Sequence, residues 1–398
     1  MNLIHRKIYL QRIAPFIGKD LIKVITGQRR VGKSYFLKQI MEDLKARNPI
    51  VVAVYINKED FEFDFLNNHE NLIHYVENYA KGEKKIVLFI DEIQEISNFE
   101  KALIHFHSKG IYDIYCSGSN ARLLSGELAT LLSGRSIEIK IYSLTYPEFL
   151  IFHQLDNNVG SFEKYIVYGG MPNLVHFDME KEVVSDYLNN LFNTIIVRDV
   201  ISRYSIRNVS FIRNLVLFLA DNTGSIVSSK RISDYFKSQK IKISPSVIQD
   251  YLLYLSETFF IHQVKRSNLQ GKKIFEFGEK YYFNDIGMRN ALIGYKATDI
   301  GKILENIVYL HLKVAGYNIT VGKDRDKEID FIAEKNGELT YVQVCYLLEK
   351  QSTIDREFGN LKKIRNDYPK IVVSMDTSST SSIDGIKHFH IRDFCVDL

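Results

Sequence analysis

Between residues 21 and 141, short apolar runs recur at helix-length intervals: LIKVIT, IVVAVYI (50–56), IVLFI (86–90), IYDIYC (111–116) and IEIKI (137–141). Such runs leave no polar face, which is the pattern of strands buried on both sides, and the stretches between them are long enough for crossover helices. An α/β fold is expected, with a parallel sheet flanked by helices. From 142 to 205 the pattern is mainly helical, broken at 169–172 by Gly-Gly-Met-Pro, a turn between helices and a candidate lid. Three short helical patterns follow, FIRNLVLFLADN (211–222), SKRISDYFKSQ (229–239) and SPSVIQDYLLYLSE (244–257), then the strands FFIHQV and KIFEFG. Three helices and a two-stranded wing make a winged helix-turn-helix. Ser244 and Pro245 supply the cap and first-turn residues that a helix start prefers.

The remainder holds a helix around ILENIVYLHLKVAG, a hairpin EIDFIAEKNGELTYVQVCYLL (328–348), a helix at 353–366 and the strand KIVVSMD. The expected division is a parallel-sheet core over 1–145, a helical lid or linker over 146–205, a winged helix over 206–280 and a last α/β domain over 281–398.

At 398 residues, with 45% hydrophobic and 25% charged, the chain can bury several cores. Its cysteines, Cys116, Cys345 and Cys395, are odd in number and scattered, which fits neither a disulfide framework nor zinc spacing and suits a reducing cytoplasm. No run approaches the ~20 apolar residues of a membrane span. A net charge of +4 is mild, so any nucleic-acid contact must rest on local clustering.

The chemistry is concentrated in GQRRVGKS, which follows the first strand and leads into the helical YFLKQIMEDLKA. Gly27, Gln28, Arg29, Arg30, Val31, Gly32, Lys33, Ser34 and Tyr35 form the candidate phosphate site. Its glycines let backbone N–H groups face phosphate oxygens, and the following helix adds its positive end. Lys33 is expected to reach the β and γ phosphates and Ser34 to ligate Mg²⁺. At the end of IVLFI, Asp91 is the second metal-side residue and Glu92 the group that polarises the attacking water. A paired acid favours water as acceptor, hence an ATPase over a small-molecule kinase. The fourth strand runs into CSGSNARLL, where Ser119 or Asn120 is placed to orient that water. Arg135, in LLSGRSIEI, is the candidate arginine finger and Arg122 the weaker rival, each against the plain alternative of a surface salt bridge. If Arg135 serves a neighbour's nucleotide, the chain works as a homo-oligomer.

GQRRVGKS, IVLFIDEIQEI, CSGSNARLL and LSGRSIEIKIYSLTYPEFL, with YGGMP and IIVRDV, resemble the AAA-type ATPases of bacteria and archaea that carry a C-terminal domain of unknown function. The resemblance covers nearly the whole chain. It implies ATP as nucleotide, the roles above for Lys33, Ser34, Asp91 and Glu92, a winged helix, and a C-terminal domain built like a restriction endonuclease.

Such nucleases hold metal with acids on two strands and a lysine two residues beyond the second. Asp330 takes the first acid position, and Glu305 matches an acid often found on the preceding helix. Gln343 stands at the second acid position and Cys345 at the lysine position. A neutral amide holds Mg²⁺ poorly and a thiol supplies no cation, so a retained fold with lost chemistry is expected. Glu349 and Lys350, farther along, are the candidate stand-ins.

Basic residues cluster around the winged helix at Lys230, Arg231, Lys237, Lys240 and Lys242, and at Lys265, Arg266, Lys272 and Lys273. The helix 244–257 that would read bases has no Lys or Arg. A weak, sequence-independent DNA contact is therefore the expected mode if DNA is bound, with a protein partner as the alternative. The His-x-His pairs at 105/107 and 388/390 lack a third ligand in the sequence pattern. The reading is a cytoplasmic Mg²⁺-dependent ATPase. Two alternatives stay open: an ATP-holding switch or scaffold with negligible turnover, and an ATP-dependent nuclease.

Overall fold

The computed structural model describes residues 4–47, 52–79, 81–124, 132–268, 278–324, 327–376 and 382–398. The chain divides into two compact units, Met1–Tyr142 with Glu257–Phe259, and Ser143–Ser256 with Phe260–Leu398.

The first unit is built on strands β1 (Ile22–Thr26), β2 (Val52–Asn57), β3 (Ile86–Asp91), β4 (Tyr112–Gly118) and β5 (Ser136–Lys140). Their order is β2-β3-β4-β1-β5 and every neighbouring pair is parallel. β4 lies between β1 and β3, so its tip falls between the ends of the strands that carry the phosphate loop and the paired acids. Every residue of β1 and β3 is buried, as continuous apolar runs require. Lys23 is the exception in chemistry: fully buried in β1, it meets Asp113 of β4 at 2.5 Å. Burial lowers its pKa even though Asp113 pulls the other way. The helices Lys33–Arg47, His69–Tyr79 and Phe99–Lys109 accompany the sheet.

The second unit contains a seven-stranded mixed sheet. Its strands are β7 (Arg266–Asn268), β9 (Asn318–Asp324), β10 (Lys327–Lys335), β11 (Glu338–Val344), β12 (Lys370–Ser374), β13 (Ser382–Ile383) and β14 (Ile386–His390), in the order β13-β14-β12-β11-β10-β9-β7. β10 and β11 form the antiparallel hairpin read from the sequence, and β11-β12-β14 are parallel. A bulge between Ile329 and Ile332 interrupts the β9–β10 register beside Asp330.

Helices Val209–Asp221, Ser229–Ser238 and Pro245–Glu257 match the three helical patterns. The strand β6 (Ile261–Val264) that follows pairs antiparallel with β8 (Lys280–Phe283). The sequence reading put the second wing strand in KIFEFG; most of that segment lies outside the described residues, and the observed partner of β6 is KYYF.

The helices Tyr146–His153 and Val159–Tyr168, expected as a lid, share one apolar core with the large sheet. Leu144, Tyr146, Phe149, Phe162, Tyr165 and Ile166 pack in the cluster that holds Ile303, Val308, Phe331 and Val373. Gly169, Gly170 and Met171 of the Gly-Gly-Met-Pro turn are buried with them, and Pro172 is half-buried. Gly169 has φ 75°, and a Cβ there would stand 2.4 Å from the Gly287 nitrogen. Asp285 accepts from Gly170 N at 2.7 Å and caps its own helix through Met288 N at 3.0 Å. A free lid does not follow from a turn this enclosed; the aromatic content of 146–168 explains why it went inward.

His311 shows what acid does to this core. Tyr146 N donates to its Nε2 at 2.9 Å, and its Nδ1 donates to Ile307 O at 2.8 Å, so the ring is neutral. Burial pushes its pKa down to about 4, against an ordinary 6.5. The unfolded chain therefore binds this proton first, and stability present above pH 6.5 is lost as pH falls toward 4. A loss on the order of 2–3 kcal/mol is expected from this group alone. Urea midpoints of wild type and His311→Gln across that window check it: the acid-induced fall should be smaller in the variant.

Candidate functional site

The loop Gly27–Gly32 leaves the end of β1 and Lys33 begins the next helix, so the sequence motif sits on a strand–loop–helix. Three of its residues have positive φ: Gly27 at 151°, Arg30 at 69° and Gly32 at 98°. Gln28, Arg29, Val31 and Lys33 are buried, whereas Arg30 and Tyr35 are exposed. Tyr35 turns outward, its ring 5.9 Å from Lys38 Nζ. Arg29 donates to Glu59 at 2.6 Å. A brace absent from the motif supports the loop from behind: buried Arg6 donates to Val31 O at 3.1 Å and to Tyr142 O at 2.9 Å.

Lys33 and the two acids meet in one crevice. Lys33 Nζ lies 3.3 Å from Glu92 Oε1 and 3.3 Å from Gln28 O. Asp91 is fully buried and Glu92 is 5% exposed. Asp91 accepts from Tyr55 OH at 3.1 Å and from the Ser117 hydroxyl, and the Ser34 hydroxyl is within hydrogen-bonding reach of it. Burial lifts the Asp91 pKa, the hydroxyls of Ser117 and Ser34 and the Lys33 charge oppose that, and the Glu92 charge adds to it. For Glu92, burial again works upward but is outweighed by Lys33, the Gln94 amide and Arg29, which hold the carboxyl at about 2. At neutral pH Glu92 is an ionised acceptor.

The chain turns sharply at this point. Glu92 has left-handed geometry, φ 53° and ψ 50°, an uncommon one for a residue with a side chain. Ser117 Oγ holds the bend by accepting from Glu92 N at 3.2 Å while donating to Asp91. Gln94 donates to Glu92 Oε2 and lies 3.5 Å from Ser119 Oγ. Asn120, 3% exposed, accepts from Arg122 N at 2.7 Å. Thus the β4 tip reaches Glu92 through Ser117, Ser119 and Gln94, while the Asn120 side chain also shapes its own turn. Arg6, Tyr55, Gln94 and Ser117 were not identified from sequence. Only Gln94 and Ser117 had a local signal, as polar residues beside the acid pair and at the tip of the adjacent strand.

Arg135 is elsewhere. It is exposed and precedes β5, whose first residue, Ser136, pairs with Ile22 at the start of β1. The phosphate loop follows the opposite end of β1, so Arg135 does not line its own chain's crevice. Arg122 is engaged by Glu257 at 2.9 Å.

In the second unit, Glu305 and Asp330 approach one another around an unforeseen residue, Lys280 of β8. Lys280 Nζ lies 2.7 Å from Glu305, 2.6 Å from Glu328 and 3.2 Å from Asp330. Gln343 Oε1 accepts from Asp330 N at 3.3 Å. Cys345 packs with Tyr341, Phe358 and Leu361 in an apolar cluster, and burial raises its thiol to about 12. Glu349 and Lys350 are exposed. His388 bonds Ser374 at 2.8 Å and His390 caps the last helix. Among the described residues, no group of three His, Cys, Asp or Glu side chains is arranged to hold a metal ion, and no helix is long and apolar enough to cross a membrane.

Comparison with known proteins agrees with the crevice. Residues 19–150 match an AAA domain family and residues 159–299 a domain of unknown function, DUF8612. An uncharacterized protein of Haemophilus influenzae is 36% identical over 98% of both chains. One of Methanocaldococcus jannaschii is 33% identical, covering 87% of this chain and 79% of its own. A Walker-type ATPase of Pyrococcus abyssi shares the fold at 14% identity and a TM-score of 0.50, over 73% of this chain and 96% of that one. The protein belongs to the same family as the Haemophilus and Methanocaldococcus proteins, and its N-terminal part is an AAA-type P-loop ATPase domain.

Proposed function

We propose that the chain binds and hydrolyses ATP with Mg²⁺ and couples turnover to a conformational change that a partner reads. The observation that carries this is the meeting of Lys33, Ser34, Asp91 and Glu92 in one buried crevice at the strand ends. The N–H groups of the loop and the helix Lys33–Arg47 would receive the phosphates, with Lys33 neutralising them. Ser34 and Asp91 would hold Mg²⁺; a hydroxyl and a carboxylate within hydrogen-bonding reach are oxygen donors that suit that ion. Bound there, the ion would offset phosphate charge. Glu92 orients the attacking water and accepts its proton, and Gln94 keeps the carboxylate aimed. Arg135 is available to a neighbour's nucleotide in an assembly.

In the second unit, three helices followed by the antiparallel pair β6 and β8 support the winged-helix reading. Lys230, Arg231, Lys237, Lys240 and Lys242 are all exposed there and fit a weak, sequence-independent phosphate contact. The hairpin and its flanking helices support a restriction-endonuclease-like fold; Lys280 among the acids and Cys345 in the core speak against cleavage. A switch with negligible turnover is the second reading, favoured by one observation: Glu92 is tied to both Lys33 and Gln94.

The test is phosphate release from ATP by the full chain, with Mg²⁺ or with EDTA, in the presence and absence of DNA at two salt concentrations. Mg²⁺-dependent release is expected, and any DNA stimulation should fade with salt. Tight retention of ATP without release would favour the switch. No detectable nucleotide binding at millimolar Mg–ATP would defeat both readings.

A further inference from the structure

The acids of the second unit are gathered around a cation that the chain itself provides. Glu328 and Asp330, two apart on β10, point to the same ammonium as Glu305 of helix Ile300–Val314. Lys280 is deeply buried, its side chain 2% exposed, whereas Glu328 is 37% exposed and opens the cluster to solvent. The oxygens are fixed from behind: Tyr282 OH donates to Glu305 at 2.6 Å and Val344 N to Asp330 Oδ2 at 2.9 Å. A fourth acid, Glu357, is 2% exposed and feels the Asp330 charge.

A buried lysine is seldom stable without partners, and here it has three carboxylates where one would neutralise it. Burial is the main reason Glu305 is raised to about 7; Lys280 opposes the rise and the Asp330 charge adds to it. Three acid oxygens converging on one point are also the donor set of a hard divalent cation, which takes carboxylate oxygens and needs more positive charge than an ammonium carries. As they stand, the three carboxylates are not arranged to hold a metal.

We propose that Glu305, Glu328 and Asp330 form a cation site occupied by Lys280, and that the same site takes Mg²⁺ or Mn²⁺ when the ammonium is removed. Lys280 thereby pairs with these three acids and closes them to metal. This is independent of the ATPase reading, and every sample is kept free of nucleotide so that the phosphate loop contributes no metal site.

The experiment compares wild type, Lys280→Met and Lys280→Gln by thermal melting and by Mn²⁺ binding read from the free-ion paramagnetic resonance signal. Lys280→Met should melt several degrees lower than wild type, and millimolar Mn²⁺ or Mg²⁺ should restore much of the difference. It should bind one Mn²⁺ per chain where wild type binds none. Adding Asp330→Asn to Lys280→Met should abolish both effects. If Lys280→Met is recovered folded only when prepared with Mn²⁺, the proposal stands; Lys280→Gln, which keeps much of the volume, should bind the ion as well. A folded variant whose melting ignores divalent ions, equal Mn²⁺ binding by wild type, or failure of both variants to fold with metal present would overturn it.

Discussion

Replacing Glu92 with glutamine is expected to slow ATP turnover by about 10²- to 10⁴-fold while leaving Mg–ATP affinity within a few-fold, the range for removal of a positioned general base. The substitution keeps the shape and the neighbours of the side chain, so the left-handed bend and its Ser117 hydrogen bond survive. What disappears is the charge. Glu92 is ionised at neutral pH because Lys33, Gln94 and Arg29 outweigh the effect of burial. A triphosphate that drew Lys33 to itself would relieve that hold and leave the carboxylate more basic. Lys33→Ala should fail earlier, at binding, because it removes the cation for the phosphates and leaves a buried acid without its closest positive charge. Steady-state phosphate release and nucleotide titration separate these two outcomes. Unchanged turnover in Glu92→Gln would rule out its assigned role.

The first unit was legible because its signals are local. Gly-rich turn, strand and helix stand next to one another in the chain, and a buried parallel strand cannot hide its apolar run. The residues that hold Glu92 and the loop were harder to see. Ser117 and Gln94 act across a strand neighbour, and Arg6 reaches Val31 and Tyr142 from far off in sequence. Nothing in LIHRKIYL marks an arginine as a brace. The second unit shows the same limit more sharply. Asp330 and Glu305 could be read as acids in register with a known pattern, but Lys280 is the last residue of the segment read as a winged helix, 206–280, and lies in no strand read from the sequence. No spacing rule connects residue 280 with 305 and 330; only the pairing of β8 and the packing of the helix bring them together. The segment 146–205, expected as a helical lid or linker, meets a related limit, since helical periodicity reports an apolar face without saying which sheet covers it.

The second large effect is expected from the smallest change to the loop, Gly27→Ala. Gly27 has φ 151°, a region that side chains rarely adopt, and its α-carbon sits under the end of β5. A Cβ there would stand 2.3 Å from Ile141 O and 3.2 Å from Val31 Cγ2. The carbonyl belongs to backbone fixed by Ile141 N donating to Thr26 O at 2.7 Å, so no side-chain rotation relieves the contact. Either β5 shifts or the loop opens. Backbone strain and clash together should destabilise the first unit on the order of 3 kcal/mol. Nucleotide binding should suffer beyond that, because the N–H groups that face phosphate belong to the residues displaced. Losing two such charge-assisted hydrogen bonds corresponds to about a hundredfold or more in affinity. Melting and nucleotide titration on the purified variant measure the two losses separately, and Gly134→Ala is the control. Gly134 also has positive φ, at 71°, but an added Cβ would meet nothing within 4 Å. It should lose about a kilocalorie per mole from strain and no nucleotide affinity. If Gly27→Ala retained wild-type affinity, the close approach of loop and β5 would not be what shapes the phosphate site.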